Sequence, residues 1–233
     1  MRVRVATYNI RKCVGLDWRR QPDRILRVIN ELDADIVALQ EADRRFGQRI
    51  TTLSHTTLME EGWRPASVAM HEGGLGWHGN AILLSARVQI EDTHRTDLPA
   101  YEPRGAVLVD ARIDGQPVRI VGTHLGLTPD RRTAQARFIA EMLSSRPARP
   151  TIFMGDLNEW RAQAGCIAIL SKSLVFANPA PTYHASRPVA AFDRIAASPD
   201  IAFLDHGVHR SQTARRASDH LPLWADIVLP SAD

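Results

Sequence analysis

The sequence predicts a layered α/β domain in which strands outnumber helices. Residues 2–10 alternate polar and apolar side chains, as a strand with one buried face does. After Pro22, apolar residues recur at helical spacing, at Ile25, Leu26 and Ile29. Polar residues that can take part in catalysis recur where the predicted strands end. These three observations together favour a rigid sheet scaffold with a functional site at its rim.

The remaining elements are identified by the same signals. Pro22 stands in the first turn of the first helix, where its missing N–H costs no hydrogen bond. Thr128-Pro129-Asp130 opens a second helix in the same way, and Pro147 and Pro150 end it. Further strands are predicted at residues 35–39, 80–84, 106–113, 118–123, 151–154, 192–196 and 223–229.

Composition excludes several classes of protein. Of 233 residues, 44% are hydrophobic and 24% are charged, which excludes a disordered or collagen-like chain. No apolar run approaches the ~20 residues of a membrane helix, and the strand pattern begins at once, so we expect no signal peptide and a cytoplasmic enzyme. The net charge is +3, and 27 of the 29 basic residues are Arg. This excess is compatible with an anionic substrate, although a codon-usage bias would give the same count.

Eight polar residues lie at or just after predicted strand ends. They are Asn9, Glu41, His124, Asp156, Asn158, Asp193, Asp219 and His220. Because these positions run from residue 9 to residue 220, two independent domains would divide the site. We therefore expect one domain over residues 1–233.

The residue types indicate a chemistry. Carboxylates at Glu41, Asp156 and Asp219 are hard oxygen ligands, which suit Mg²⁺, with Mn²⁺ or Ca²⁺ as substitutes, better than Zn²⁺. The amide oxygens of Asn9 and Asn158 belong to the same class of ligand. Histidines at 124 and 220 can transfer protons near neutral pH, and an arginine at 104 can hold a phosphate. Together they indicate metal-assisted hydrolysis of a phosphate ester.

Six segments also occur in a recognisable order. They are Thr7-Tyr8-Asn9-Ile10, Leu39-Gln40-Glu41, Gly79-Asn80-Ala81-Ile82-Leu83, Thr123-His124-Leu125, Gly155-Asp156-Leu157-Asn158 and Ser218-Asp219-His220-Leu221-Pro222. This series resembles the endonuclease/exonuclease/phosphatase superfamily, which includes DNase I, over nearly the whole chain. The resemblance implies a four-layered α/β sandwich: two packed, mostly antiparallel sheets flanked by helices.

The resemblance also implies roles. Glu41 resembles the principal metal carboxylate, with Asn9 and Asp219 completing the metal site directly or through water. Asp156 and Asn158 resemble the pair that positions or deprotonates the attacking water and holds the phosphate. His220 resembles a base or a phosphate-polarising imidazole that Asp193 orients. His124 resembles the group that protonates the leaving oxygen. Arg104, Trp77 and Asn80 occupy the places of substrate contacts. Whether Asp156 or His220 is the general base stays open.

Each residue taken singly has a plainer interpretation. An Asp or Asn after a strand is usually a turn former or a helix N-cap, and His124 alone is better explained as a structural histidine. Joint occurrence of six segments in order outweighs these readings.

The substrate stays open at the level of sequence. A Mg²⁺-dependent phosphodiesterase acting on nucleic acid, a lipid headgroup or a small metabolite ranks first; no protein partner is implied. A phosphomonoesterase is the second hypothesis, and a non-catalytic binding module that retains the fold is the third. The basic pair Arg215-Arg216, just before Asp219, is expected to lie near the substrate.

Overall fold

The computed structural model describes residues 1–44, 50–69 and 71–230. Within these residues the chain forms twelve strands, whose bounds are β1 Arg2–Asn9, β2 Ile36–Gln40, β3 Arg64–Pro65, β4 Ala81–Leu84, β5 Val88–Asp97, β6 Gly105–Ile113, β7 Gln116–His124, β8 Thr151–Asp156, β9 Val175–Phe176, β10 Asp193–Ala197, β11 Ala202–Val208 and β12 Leu223–Val228. Five α-helices accompany them: α1 Pro22–Glu31, α2 His55–Glu60, α3 Pro129–Ser144, α4 Cys166–Leu170 and α5 Ala214–Ala217. A single 3-10 turn, Arg11–Cys13, follows β1.

The strands form two six-stranded sheets. The first has the order β11-β12-β1-β2-β4-β3 and the second β5-β6-β7-β8-β10-β9. In each sheet one pair is parallel, β1 with β2 and β7 with β8, and the other pairs are antiparallel. The predicted mostly antiparallel sheets are therefore confirmed.

Three apolar layers hold these elements together. Alternate residues of both sheets, such as Val5 in β1 and Ile120 in β7, meet in a core between the sheets. The opposite face of the first sheet packs against α1, where Ile25 and Ile29 form the buried stripe predicted from the sequence. The outer face of the second sheet is covered by α3 and α4. The order helix–sheet–sheet–helix is the predicted four-layered sandwich.

Two long strands, β5 and β11, lie outside the sequence prediction. Both are edge strands of their sheets, and most of their side chains are exposed or half-buried. With little buried surface on either face, neither strand shows the regular apolar alternation that predicts a strand.

Among the described residues, no helix combines the length and the apolar character needed to cross a membrane.

Candidate active site

The sheet topology brings the predicted polar residues to one rim. Because β1 and β2 run parallel, Asn9 and the residue preceding Glu41 end these strands side by side. The parallel pairing of β7 with β8 aligns His124 with Asp156 in the same way. Strand β10 runs antiparallel to β8 and places Asp193, its first residue, opposite Asp156. Both sheets thus contribute side chains to one edge of the sandwich.

Gly155 allows the close approach that aligns His124 with Asp156. Its φ is +157°, and a Cβ at this position would lie 2.0 Å from the carbonyl oxygen of Thr123. A larger residue would push β8 away from β7 and move the Asp156 carboxylate with it. Gly155 is therefore needed at this position, because it lets the next residue, Asp156, lie beside His124.

Asp156 is the centre of the cluster, and its carboxylate is buried. Its Oδ2 accepts a hydrogen bond from Asn9 Nδ2 at 3.0 Å, which links the two sheets. The same oxygen lies 3.4 Å from His124 Nε2 and 3.6 Å from His220 Nε2. Its Oδ1 accepts the backbone N–H of Asn158 at 3.0 Å. The carboxylate is thus fixed by its partners and faces both histidines.

His220 is oriented from behind by Asp193. Its Nδ1 lies 2.8 Å from Asp193 Oδ2, and because a carboxylate only accepts, Nδ1 carries the proton of this bond. Thr182 donates its hydroxyl to the same oxygen at 2.5 Å. The ring of Tyr183 packs against the imidazole, with 4.9 Å between centroids. Nε2 is therefore the only nitrogen of His220 that can face a reacting group.

The two histidines differ in charge. Burial lowers the pKa of His124 to about 4, and the nearby Asp156 carboxylate only partly opposes this effect. Burial also disfavours the charged form of His220, but the carboxylates of Asp193 and Asp156 outweigh it and raise its pKa to about 10. At neutral pH the site thus holds a neutral imidazole and an imidazolium beside one carboxylate.

Two further carboxylates, Glu41 and Asp219, lie at the mouth of the cluster. The Lys12 ammonium contacts Glu41 Oε2, and Arg11 Nε lies 3.4 Å from Asp219 Oδ2. Burial opposes ionisation of Glu41, but the charge and hydrogen bond of Lys12 and the charge of His220 hold its pKa below the ordinary value. Each of these acidic groups therefore faces a cationic side chain of the same chain.

Several residues here adopt left-handed backbone conformations that non-glycine residues rarely take. The φ angles are +45° at Arg11, +55° at Lys12, +54° at Glu41 and +50° at Asn158. Such conformations cost energy and tend to cluster at functional sites. They turn the loops after β1, β2 and β8 so that their side chains meet.

The donor set can be tested against a divalent cation. Glu41, Asp219 and the Asn9 side chain offer oxygen atoms at the rim, which is the chemistry that Mg²⁺ prefers. A second set, Asp156, Asp193 and His220, has ligand atoms within 4.8 Å of one another and is buried. In that set Asp193 Oδ2 and His220 Nδ1 are already bonded to each other, so a metal there would break the bond that orients the imidazole. Both sets of residues contain groups that can bind a metal ion. The set with oxygen ligands alone, Glu41, Asp219 and Asn9, suits Mg²⁺ better than the set that includes His220.

The three predicted substrate contacts are each held by partners outside the carboxylate and histidine cluster. Arg104, mostly buried, donates to Glu102 Oε1 from Nε at 3.1 Å and Nη2 at 2.8 Å, and its charge contributes to lowering the pKa of His124. Trp77 donates its indole N–H to Asp97 at 3.1 Å and is stacked by Arg95. No recorded contact joins Trp77 to the carboxylate and histidine cluster within the described ranges.

Asn80, the third of these residues, is buried and donates its amide to two backbone carbonyls, those of Trp77 and Gly105, each at 3.1 Å. Its Oδ1 is buried without a hydrogen-bond partner among the described residues. A buried acceptor of this kind is available to a ligand donor.

Sequence reasoning missed four residues of the site: Thr182, Tyr183, Arg11 and Lys12. Arg11 and Lys12 follow Asn9 by two and three residues, which places them near a predicted ligand but does not indicate where their side chains point. Nothing in the sequence around Thr182 points to Asp193, because their contact depends on the register of a loop against β10.

Comparisons with known proteins agree with this fold. The family model described as the Endonuclease/Exonuclease/phosphatase family matches residues 6–220. No curated protein matches the chain significantly in sequence.

Solved structures share the fold at low identity. An endonuclease/exonuclease/phosphatase from Beutenbergia cavernae is 23% identical, with a TM-score of 0.75 over 99% of this chain and 72% of its own. D. rerio TDP2 complexed with single strand DNA product is 18% identical, with a TM-score of 0.75 over 97% and 99%. A mannosyl-6-phosphatase from Bacteroides thetaiotaomicron is also 18% identical, with a TM-score of 0.75 over 97% and 100%.

At these identities the structural neighbours show the fold alone, and the family model, which spans most of the chain, shows the family. Members of the superfamily are metal-dependent hydrolases of phosphate esters. This chain belongs to the endonuclease/exonuclease/phosphatase family.

Proposed function

We propose that the chain is a divalent-cation-dependent phosphodiesterase whose reaction takes place beside Asp156 and His220. The observation that carries the proposal is the single Asp156 carboxylate oxygen, which faces Asn9, His124 and His220 within 3.6 Å. Burying a carboxylate costs free energy unless charged or hydrogen-bonding partners compensate for it, as they do for Asp156. Buried ionisable groups with such partners cluster in active sites.

The proton inventory of the site assigns the roles. The carboxylates of Asp193 and Asp156 raise the pKa of His220 to about 10, and we assign its Nε2–H the role of donor to a phosphate oxygen. Asp156 accepts, and we assign it the proton of the attacking water, with Asn158 beside it. Asp193 keeps the imidazole in place through its bond to Nδ1. His124, which is neutral and buried, contacts the same Asp156 oxygen, Oδ2, as His220 does and helps to fix its position.

Glu41, with Asn9 and Asp219, would hold the cation, which we assign as Mg²⁺. When bound, the cation stabilises negative charge on the phosphoryl oxygens, a contribution of several kcal/mol. Lys12 and Arg11 neutralise these carboxylates in the structure described here, and both side chains must give way or be shared when a cation binds.

Charge balance favours a diester over a monoester. A phosphate monoester carries about two negative charges near neutral pH, whereas a diester carries one. Lys12 and Arg11 balance the charges of Glu41 and Asp219 whether or not these pairs separate when a cation binds. Arg104 is paired with Glu102, and the charge of His220 is opposed by Asp156 and Asp193. One bound divalent cation therefore leaves a net charge of about one positive unit in the site, which suits a singly charged ester.

The structural likeness to a mannosyl-6-phosphatase supports the phosphomonoesterase as the second candidate. The two candidates separate in an assay with bis-p-nitrophenyl phosphate and p-nitrophenyl phosphate, each with Mg²⁺, Mn²⁺ or EDTA. We expect hydrolysis of the diester with Mg²⁺, at least ten times faster than that of the monoester, and none in EDTA. Faster monoester hydrolysis would favour the second candidate, and full activity in EDTA would contradict the metal assignment.

An Asp156→Asn variant tests the same proposal by removing the proposed general base. Removal of the base should lower kcat by about 10²–10⁴-fold, because positioned acid–base catalysis contributes that factor. Asp97→Asn, an exposed carboxylate near Trp77, is the matched control and should keep the rate of the natural chain.

The cytoplasmic location expected from the sequence remains a prediction.

A further inference from the structure

A basic cleft lies beside the site, between the loop after β1, helix α1 and helix α5. It encloses about 1250 Å³, and arginines 24, 27, 215 and 216 line it together with Asp17 and Asp23. The pair Arg215-Arg216, singled out from the sequence, thus forms one wall. Positive groups outnumber negative groups two to one in this cleft.

The arginines of the cleft are not equally available. Arg24 is committed to the fold: its guanidinium donates to Asp17 at 2.7 Å, to Gln21 at 3.1 Å and to the carbonyl of Arg216 at 3.1 Å. Arg27 and Arg216 are exposed, and within the described part of the chain their guanidinium groups have no partner. Arg215 makes only a 3.4 Å bond to a backbone carbonyl. Three guanidinium groups are therefore available to an anionic ligand.

The cleft lies close to the candidate active site along the segment that carries Asp219 and His220. Arg216 precedes Asp219 by three residues, so their Cα atoms are at most about 11 Å apart. The loop after β1 is fixed against this wall, because Leu16 N donates to the Arg216 carbonyl at 3.1 Å. Gly15 permits the contact, since a Cβ there would lie 2.5 Å from the same oxygen. A ligand that extends beyond the reacting ester can therefore enter the cleft.

An exposed tryptophan, Trp18, follows the cleft residue Asp17 in the chain and is linked to the site through Arg11. Trp18 is 78% exposed, which is unusual for so large an apolar side chain. One face of its ring is stacked by Arg11, 4.6 Å from the centroid, and Arg11 in turn contacts Asp219. The ring is thus held beside the site by a cation and remains open to a planar group.

We propose that this cleft binds the flanking backbone of a single-stranded nucleic acid, with a base stacked on Trp18 and the scissile phosphate at His220. The proposal rests on the proposed phosphodiesterase function and names its substrate class. Repeated phosphates match the three available arginines, and an exposed aromatic ring beside a cationic groove is the combination that binds single strands.

The test measures binding without turnover. A fluorescently labelled single-stranded oligonucleotide is titrated in EDTA, and its anisotropy is followed at several salt concentrations. The variant Arg27→Glu/Arg215→Glu should raise Kd more than tenfold and lower the magnitude of the salt slope by about 1.4, because each lost phosphate contact removes about 0.7. A Trp18→Ala variant should raise Kd by about 5- to 150-fold, the range for one lost stacked base.

A matched control separates a local site from general charge. Arg137→Glu/Lys172→Glu changes the net charge by the same amount at exposed positions on and after the helices that cover the second sheet. This pair should leave Kd within twofold. Equal weakening by both pairs, or no weakening by either, would overturn the cleft proposal, and circular dichroism checks that each variant is folded.

The two proposals fail separately. If the unaltered chain does not hydrolyse bis-p-nitrophenyl phosphate with any divalent cation, the proposed function fails whatever the anisotropy shows. If it hydrolyses this diester but the cleft variants bind the oligonucleotide as well as the unaltered chain does, only the cleft proposal fails. Weakened binding of inorganic polyphosphate by Arg27→Glu/Arg215→Glu, with no effect of Trp18→Ala on either ligand, would refute the stacked base.

Discussion

Replacing Asp193 by Asn should separate catalysis from stability. Asp193 is fully buried, and its Oδ2 accepts bonds from His220 at 2.8 Å and Thr182 at 2.5 Å, while its Oδ1 has no partner among the described residues. Asn keeps the shape and an acceptor, but it removes the charge that favours the imidazolium. The His220 pKa should therefore fall from about 10 toward its ordinary value.

The magnitude follows from the interactions that change. A hydrogen bond to a charged group contributes about 1.5–3 kcal/mol and one between neutral groups about 0.5–1.5 kcal/mol, so each of the two bonds to Asp193 loses about 1–1.5 kcal/mol. If this combined loss of about 2–3 kcal/mol is realised in the transition state, kcat falls by about 30- to 160-fold. Stability should change by less than about 1 kcal/mol, because Asn relieves the desolvation of a buried carboxylate and offsets the weakened bonds.

The assay compares two variants by steady-state hydrolysis of bis-p-nitrophenyl phosphate and by urea unfolding. Asp226 is the control, since it is also a buried aspartate but is bonded by Arg4 at 2.8 Å and Arg2 at 2.6 Å at the opposite end of β1. Asp226→Asn should lose about 2 kcal/mol of stability and keep kcat, the reverse of Asp193→Asn. A normal kcat in Asp193→Asn, or a loss of kcat explained by unfolding, would refute the positioning role.

Four further outcomes are expected. Glu41→Gln should weaken Mg²⁺ binding at least about tenfold by calorimetry, with unchanged affinity contradicting its assignment as a ligand. Lys12→Met should strengthen Mg²⁺ binding up to about fivefold, because a half-exposed ion pair contributes at most ~1 kcal/mol and no longer competes; weaker binding would show that Lys12 assists the cation. Thr182→Val should lower kcat about tenfold with the same KM, as one bond to Asp193 is lost, and an unaltered kcat would refute this link. The hydrogen bond from Arg4 lowers the pKa of Asp226 to about 2. The free energy of unfolding of the natural chain should therefore exceed that of Asp226→Asn by about 2 kcal/mol above pH 5, and this difference should shrink as the pH falls toward 2. A difference that stays constant with pH would contradict the prediction.

The sequence was sufficient for the elements whose faces are buried. Strands such as β7 and β8 are buried on both faces because they lie between the layer of α3 and α4 and the first sheet. Their predicted positions agree with the structure to within two residues at each end. The edge strands β5 and β11 have no such constraint on their sequences, and neither was predicted.

The site was predictable as a group of residues but not as a set of contacts. Strand ends identify His124 and Asp156 as neighbours in one sheet, and Asn9 and the residue before Glu41 as neighbours in the other, since parallel pairing aligns each pair. The paired cations Arg11 and Lys12 were not predictable, because non-glycine residues give no local sign of a left-handed backbone. Which carboxylate is paired, and which is left to bind a ligand, depends on those turns.

The position of the bound cation is the most direct test of the account given for this site. Crystals soaked with Mn²⁺ would reveal the ion by anomalous scattering, and we expect one peak within about 2.5 Å of a Glu41 carboxylate oxygen. Glu41→Gln crystals should lose that peak. A peak between Asp193 and His220, or none at saturating Mn²⁺ with the chain still active, would contradict the assignment of the rim carboxylates as the metal site.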